Sequence, residues 1–171
     1  MNNALLKKNI SNIILSKSNS DINFFTTKKS FLDKNFSSLN DVFLEINKIS
    51  EKEYGIKSEA PHLTIKKNDK HNLIPFDNGI LLINSFFAQL KKNCLIFFRL
   101  EKPILSNNNK PIDIIFTLLT PKNLKSSHRL QILAKLTRIL QGPYIRKEIK
   151  GIEKPEDVLA LLLFTSSEIN E

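Results

Sequence analysis

Residues 94–140 read CLIFFRLEKPILSNNNKPIDIIFTLLTPKNLKSSHRLQILAKLTRIL. Two short apolar runs, Cys94–Leu100 and Ile112–Leu119, are rich in Ile, Phe and Leu and are bounded by Pro and Asn. That length and those bounds predict buried strands rather than helix segments. Between them Leu105–Lys110, with its Asn triplet, is short enough for a β-hairpin and suits turn dihedrals. Pro121 ends the second run. Beyond it Leu130, Leu133, Leu136, Thr137 and Leu140 recur at helical spacing, with Ser126 or Ser127 as N-cap and Gly142-Pro143 as the stop. His128 therefore falls in the first turn of a helix, where free backbone N–H groups and the helix dipole favour anions and a neutral imidazole.

Working outward, Ile80–Ile83 reads as another buried strand after the turn residues Asp77-Asn78-Gly79, with Ser85–Leu90 as a short helix or strand edge. Upstream, Ile22–Thr26 reads as a strand. Thr27 is expected to cap a helix running to about Ile49, with Phe31, Leu32, Phe36, Leu39, Phe43 and Ile46 on one core-facing side. Residues 1–21 are a polar extension with one helical candidate, Ile10–Leu15, and Glu51–Asn72 reads as partial helix and loop. Downstream, Pro143 starts a brief helix through Ile149. Lys154-Pro155-Glu156-Asp157 opens the last helix, whose apolar run is Val158–Phe164. Short strands mixed with longer helices give an α/β sandwich over 22–165, with 166–171 as a tail.

A chain of 171 residues suits one domain with a real core. The hydrophobic share of 41% and charged share of 25% are ordinary for a globular protein. No apolar run is long enough to span a membrane. The N-terminal apolar stretch is cut by Lys7-Lys8 and lacks a small-residue cleavage site, so no signal peptide is read. Cys94 is the one cysteine, which excludes an internal disulfide framework, and its apolar strand suggests a core role. The cytoplasm is the expected compartment. The net charge of +9 is spread over most of the chain. It is concentrated from Lys122 to Lys154, where Lys122, Lys125, Arg129, Lys135, Arg138, Arg146, Lys147, Lys150 and Lys154 meet Glu148 and Glu153. Such a face could meet nucleic acid or an acidic protein. Without interleaved aromatics or a nucleic-acid motif, nucleic acid is the weaker option. Three scattered histidines and one cysteine lack the paired spacings of a zinc site, and four glycines make no phosphate loop, so neither metal nor cofactor is expected.

The run FFRLEKPI (97–104), the strand NKPIDIIFTLLTP (109–121) and the helix SSHRLQILAKLTRIL (126–140) together resemble the type-2 IIA domains of the bacterial phosphotransferase system (PTS EIIA type 2). The nitrogen-regulatory IIA proteins are the nearest relatives by this reading. The resemblance covers about residues 20–165 and is dense after Ile80. It implies a three-layer α/β/α sandwich with a mixed central sheet. It also implies a phosphohistidine carrier charged by the carrier protein HPr, with regulatory targets such as a kinase, a channel or a transporter component.

In that family the acceptor histidine ends the motif "asn-gly-ile-ala-ile-pro-his". Here the corresponding residues are Asn78-Gly79-Ile80-Leu81-Leu82-Ile83-Asn84, which puts Asn84 at the acceptor position. Ser85 stands where the family usually has Gly, and Phe86 where a basic residue is common. His128 matches the second active-site histidine, which assists the first and steadies the phosphate. A carboxamide nitrogen, its lone pair delocalised into the carbonyl, cannot attack phosphorus as imidazole does. The resemblance with that substitution implies a regulatory protein that has lost its acceptor and acts through protein contacts. The alternative uses the Pro61-His62 pair, with His62 as acceptor. It keeps a nucleophile but needs an insertion of about twenty residues before Cys94 and leaves Asn78-Gly79-Ile80 unexplained. His71 carries no motif.

Overall fold

The computed structural model describes residues 27–56 and 73–168. Nine elements follow in order: β1 (Thr27–Lys34), α1 (Leu39–Tyr54), β2 (Leu73–Pro75), β3 (Ile80–Phe87), β4 (Cys94–Leu105), β5 (Pro111–Pro121), α2 (Ser126–Leu140), α3 (Ile145–Lys150) and α4 (Asp157–Glu168). The strands form one sheet in the order β1-β4-β5-β3-β2. It is mixed, since β1 with β4 and β3 with β5 are parallel while β4 with β5 and β2 with β3 are antiparallel.

The sheet is covered on both faces, which is why its strands read as unbroken apolar runs. On one face Leu81, Ile83, Ile96, Phe98 and Ile115 pack with α1 through Val42, Phe43 and Ile46. On the other, Ile80, Leu82, Phe97, Ile114, Phe116 and Leu118 pack with α2, α3 and α4 through Ile132, Leu136, Ile149 and Leu162. The expected α/β/α sandwich is present, with one helix on one face and three on the other among the described residues.

The central hairpin forms as its sequence dictates. Asn109 takes a positive φ of 57°, and its N–H donates to the Ser106 carbonyl at 3.0 Å; the Lys110 N–H donates to Ser106 Oγ, also at 3.0 Å. Asparagine tolerates this left-handed geometry because its short polar side chain stabilises it locally. The flanking strands run further than expected, to Leu105 and from Pro111 through Pro121.

The helix expected from Thr27 to Ile49 is corrected. Residues 27–34 are a strand, in parallel register with Cys94–Leu100, and the helix begins only at Leu39. Phe31 and Leu32 lie on opposite faces: Phe31 stacks on Phe98 at 5.4 Å toward α1, while Leu32 packs toward α2. The true cap is Ser38, whose Oγ accepts from the Asp41 N–H, while the Asp41 carboxylate accepts from the Ser37 N–H. Gly55, at φ 64°, ends α1 and donates to the Glu51 carbonyl.

Of the two readings of Ser85–Leu90 the strand is the one present, Ser85–Phe87 continuing β3. Leu73–Pro75 form a short strand antiparallel to β3, joined to it by the expected Asp77–Gly79 turn. The cap of α2 is Lys125, without a side-chain cap bond, so neither Ser126 nor Ser127 holds that place. The buried stripe of α2 is Ile132, Leu136, Ile139 and Leu140, whereas Leu130 is 65% exposed. Two leucine-rich stripes compete on this helix, and the one carrying both isoleucines faces the sheet. The expected segments Ile10–Leu15 and Ile22–Thr26, and all but the beginning of Glu51–Asn72, lie outside the described residues.

Candidate functional site

The parallel pairing of β3 and β5 sends both C-terminal ends to one side of the sheet, where β4 begins. Asn84 sits there, opposite Leu118 in the register. The alternation along β3 puts it on the same face as Ile80 and Leu82, the face covered by α2, and it is 6% exposed. Three residues past Leu118, β5 stops at Pro121, and after a four-residue turn α2 starts. His128 is exposed in that helix's first turn, so the register and the short connection put Asn84 and His128 toward the same end of the sheet.

Arg129 fastens the corner at this end. Its guanidinium lies over the Phe86 ring at 5.0 Å, donates to the Lys122 carbonyl at 2.9 Å and donates to Ser126 Oγ at 3.1 Å. The Lys122 N–H donates in turn to the Phe87 carbonyl at 3.0 Å. One cation thus ties the end of β3 to the start of α2, a cation–π contact of about 0.5–1 kcal/mol at such a site. Sequence reasoning did not find it. Arg129 stood only as one more charge in a basic run, and its partner ring is remote in the chain.

The rest of the motif belongs to the opposite end of the sheet. Asn78 Nδ2 donates to the Leu140 carbonyl at 3.0 Å, and Arg146 Nη1 donates to the Asn78 carbonyl at 3.0 Å. Arg146 grips Asp113 through both guanidinium nitrogens, and Lys150 Nζ reaches the same carboxylate at 2.6 Å. Burial pushes the Asp113 pKa up, but the hydrogen bonds and charges of Arg146 and Lys150 outweigh it and hold the carboxyl below its ordinary value. Asp113 correspondingly raises the Arg146 pKa. Nearby, Arg99 holds Asp33 through Nε and Nη2 at 3.0–3.1 Å and donates from Nη1 to the carbonyls of Ile149, Lys150 and Ile152. It therefore supplies a donor to carbonyls at and just beyond the end of α3. Asn78, Gly79, Arg99 and Asp113 are latches that fix α3 against the sheet. A lone acid inside an apolar strand needs a cation, and that signal could have flagged Asp113 in advance.

Gly79 is confined by the same latch. Its φ is 79°, and a Cβ there would come within 2.7 Å of Arg146 Nη1. Gly79→Ala is expected to cost about 1–3 kcal/mol, combining backbone strain with displacement of a tethered guanidinium. Urea unfolding of the two proteins measures it, and equal midpoints would refute the crowding.

A cavity of about 370 Å³, lined by Leu39, Leu73, Phe76, Leu81, Lys110 and Ile112, lies at the latch end on the α1 face, away from Asn84. His62 and His71 lie outside the described residues. Among the described residues, no three of His, Cys, Asp and Glu cluster as a metal site, and no helix is long and apolar enough to cross a membrane. The basic run from Lys122 to Lys154 is not one free face, because Arg146 and Lys150 serve Asp113 and Arg129 serves the corner.

Comparison with known proteins gives a consistent set. Residues 23–164 match the family model described as "Phosphoenolpyruvate-dependent sugar phosphotransferase system, EIIA 2". The chain is 24% identical over 123 residues to the nitrogen regulatory protein of Klebsiella oxytoca, covering 68% of this chain and 74% of that one. Its fold is similar to the crystal structure of nitrogen regulatory protein IIA-Ntr from Neisseria meningitidis, with a TM-score of 0.67, 24% identity and coverage of 77% and 90%. It is also similar to a Streptococcus mutans structure provisionally assigned as a PTS IIA (PtxA), with a TM-score of 0.60, 12% identity and coverage of 82% and 89%.

Proposed function

The chain belongs to the EIIA 2 family of the phosphoenolpyruvate-dependent sugar phosphotransferase system, and from that premise we propose that it is a nitrogen-regulatory type of IIA protein that no longer accepts phosphate. It acts by contact with other proteins, in the manner of a relative held permanently unphosphorylated. One observation supports this reading: Asn84, which the motif resemblance puts at the acceptor position, is a buried carboxamide on the α2 side of β3. Phosphoryl transfer from a carrier such as HPr needs an imidazole lone pair directed at phosphorus. An amide nitrogen has none to offer, and loss of a nucleophile that works within a unit costs on the order of a millionfold in rate. Regulatory targets of the kinase, channel or transporter-component class fit a protein that signals by docking.

The competing reading is a working carrier that uses His62, with help from His128, or His128 itself. Its support is the exposed position of His128 at the corner and the Pro61-His62 pair. Incubating the full chain with Enzyme I, HPr and radiolabelled phosphoenolpyruvate separates the two. No acid-labile label is expected on the native chain. Stable label that vanishes in His62→Ala or His128→Ala would establish the carrier instead.

A further inference from the structure

The corner at the Asn84 and His128 end of the sheet is one-signed. No Asp or Glu occurs from residue 84 to 100 or from 114 to 147. The elements that meet at the corner bring exposed Lys91 and Lys92 from the β3–β4 loop and exposed Lys122 and Lys125 from the β5–α2 turn, with Arg129 between them. The Cys94 thiol donates to the Lys92 carbonyl, and Cys94 is opposite Leu119, which fixes this loop beside the end of β5. On the far edge of the sheet Lys29 is already matched by Glu53 of α1 at 2.9 Å, so the excess charge belongs to the β3–β5–α2 side. Among these lysines Phe86 is 38% exposed, whereas Leu130 (65%) lies on the side of α2 turned away from the sheet. Phe86 is held in place by Arg129 rather than loose on the surface.

We infer that this corner is a docking surface for an acidic protein segment, with the Phe86–Arg129 pair at its centre and Lys91, Lys92, Lys122 and Lys125 as the rim. A pre-fixed aromatic–arginine centre inside a charged rim is the anatomy of a protein interface, in which the rim steers encounter and the centre supplies affinity. The charge selects the partner: a face without a carboxylate repels a basic surface and attracts an acidic one. Nucleic acid fits less well. Single strands need successive rings to stack on, and residues 84–93 and 118–131 expose one ring, already covered by Arg129. The inference names the partner chemistry for the contact function proposed above and rests on that reading to this extent. Its test reads binding alone, so the labelling outcome stands or falls separately.

The probe is a fluorescein-labelled peptide of alternating Glu and Leu blocks, titrated with the full chain and followed by anisotropy. Binding is expected, weakening as salt is raised. The triple variant Lys91→Glu/Lys122→Glu/Lys125→Glu is expected to lose at least about tenfold in affinity, and Phe86→Ala about fivefold. Lys48→Glu/Lys102→Glu, on α1 and on β4 away from the corner, is expected to stay within about twofold. Circular dichroism confirms that each variant is folded. Equal losses in the corner and control variants would overturn the inference, as would no binding, or tighter binding of a single-stranded oligonucleotide of the same charge.

Discussion

Asn84→His is expected to convert a chain that takes no phosphoryl label into one that does, with a rise on the order of a hundredfold or more over the native protein under the same Enzyme I and HPr relay. The corner already holds the supporting parts: His128 in the first turn of α2, a helix start without an acidic residue, and Arg129 bridging to β3. On the proposed reading, what it lacks is the family's acceptor imidazole at position 84. Recovery is expected to be incomplete. Ile83 replaces the motif's proline and Phe86 replaces a basic residue, so the new imidazole is held less firmly and its phosphate is less well neutralised. Asn84→Asp is the control for charge and burial and is expected to stay at background. A folded Asn84→His protein that remains at background would show that residue 84 is not the acceptor position.

Asp113→Ala is expected to cost about 2–4 kcal/mol of stability, a large part of what a domain of this size has. The carboxylate is 6% exposed and is the shared partner of Arg146 and Lys150; its removal leaves two cations facing each other beside the Asn78 carbonyl. Both cations are over a third exposed and can turn toward water, which keeps the cost below that of a fully buried triad. The pH dependence has a definite sign. The Asp113 pKa is depressed in the folded state from an ordinary value of 3.8. Its stabilisation is therefore fully present above that value and is lost as pH falls through the lower, folded one. Urea midpoints measured from neutral pH downward should converge for native protein and Asp113→Ala at the acid end, and parallel curves would refute the linkage.

These two residues also show what the sequence could carry. The β4–β5 hairpin was legible because Asn107–Asn109 and the flanking prolines bound two runs too short for helices. The segment 27–38 was misread because Phe31 and Phe36 fall by coincidence in helical step with Leu39, Phe43 and Ile46, which do line the buried face of α1. When both faces of a strand are buried, the alternation that marks a strand disappears, and Phe31 and Leu32 on opposite faces look like neighbours on one side. The three-residue β2 is too short to leave a pattern at all. Position 84 is singled out only by the motif resemblance that precedes it, since no local property of an asparagine in an apolar run announces a site. The pairings Arg129–Phe86 and Asp113–Arg146 join residues from separate elements, and only the folded chain brings them together.

The most direct test of the account is which side chain stands against the His128 ring. Nuclear Overhauser contacts in a protein labelled only at asparagine and histidine read this in solution. The account predicts cross-peaks between the Asn84 carboxamide protons and the His128 ring. Cross-peaks from the His62 or His71 ring to His128, with none from Asn84, would contradict it and return a nucleophile to the corner.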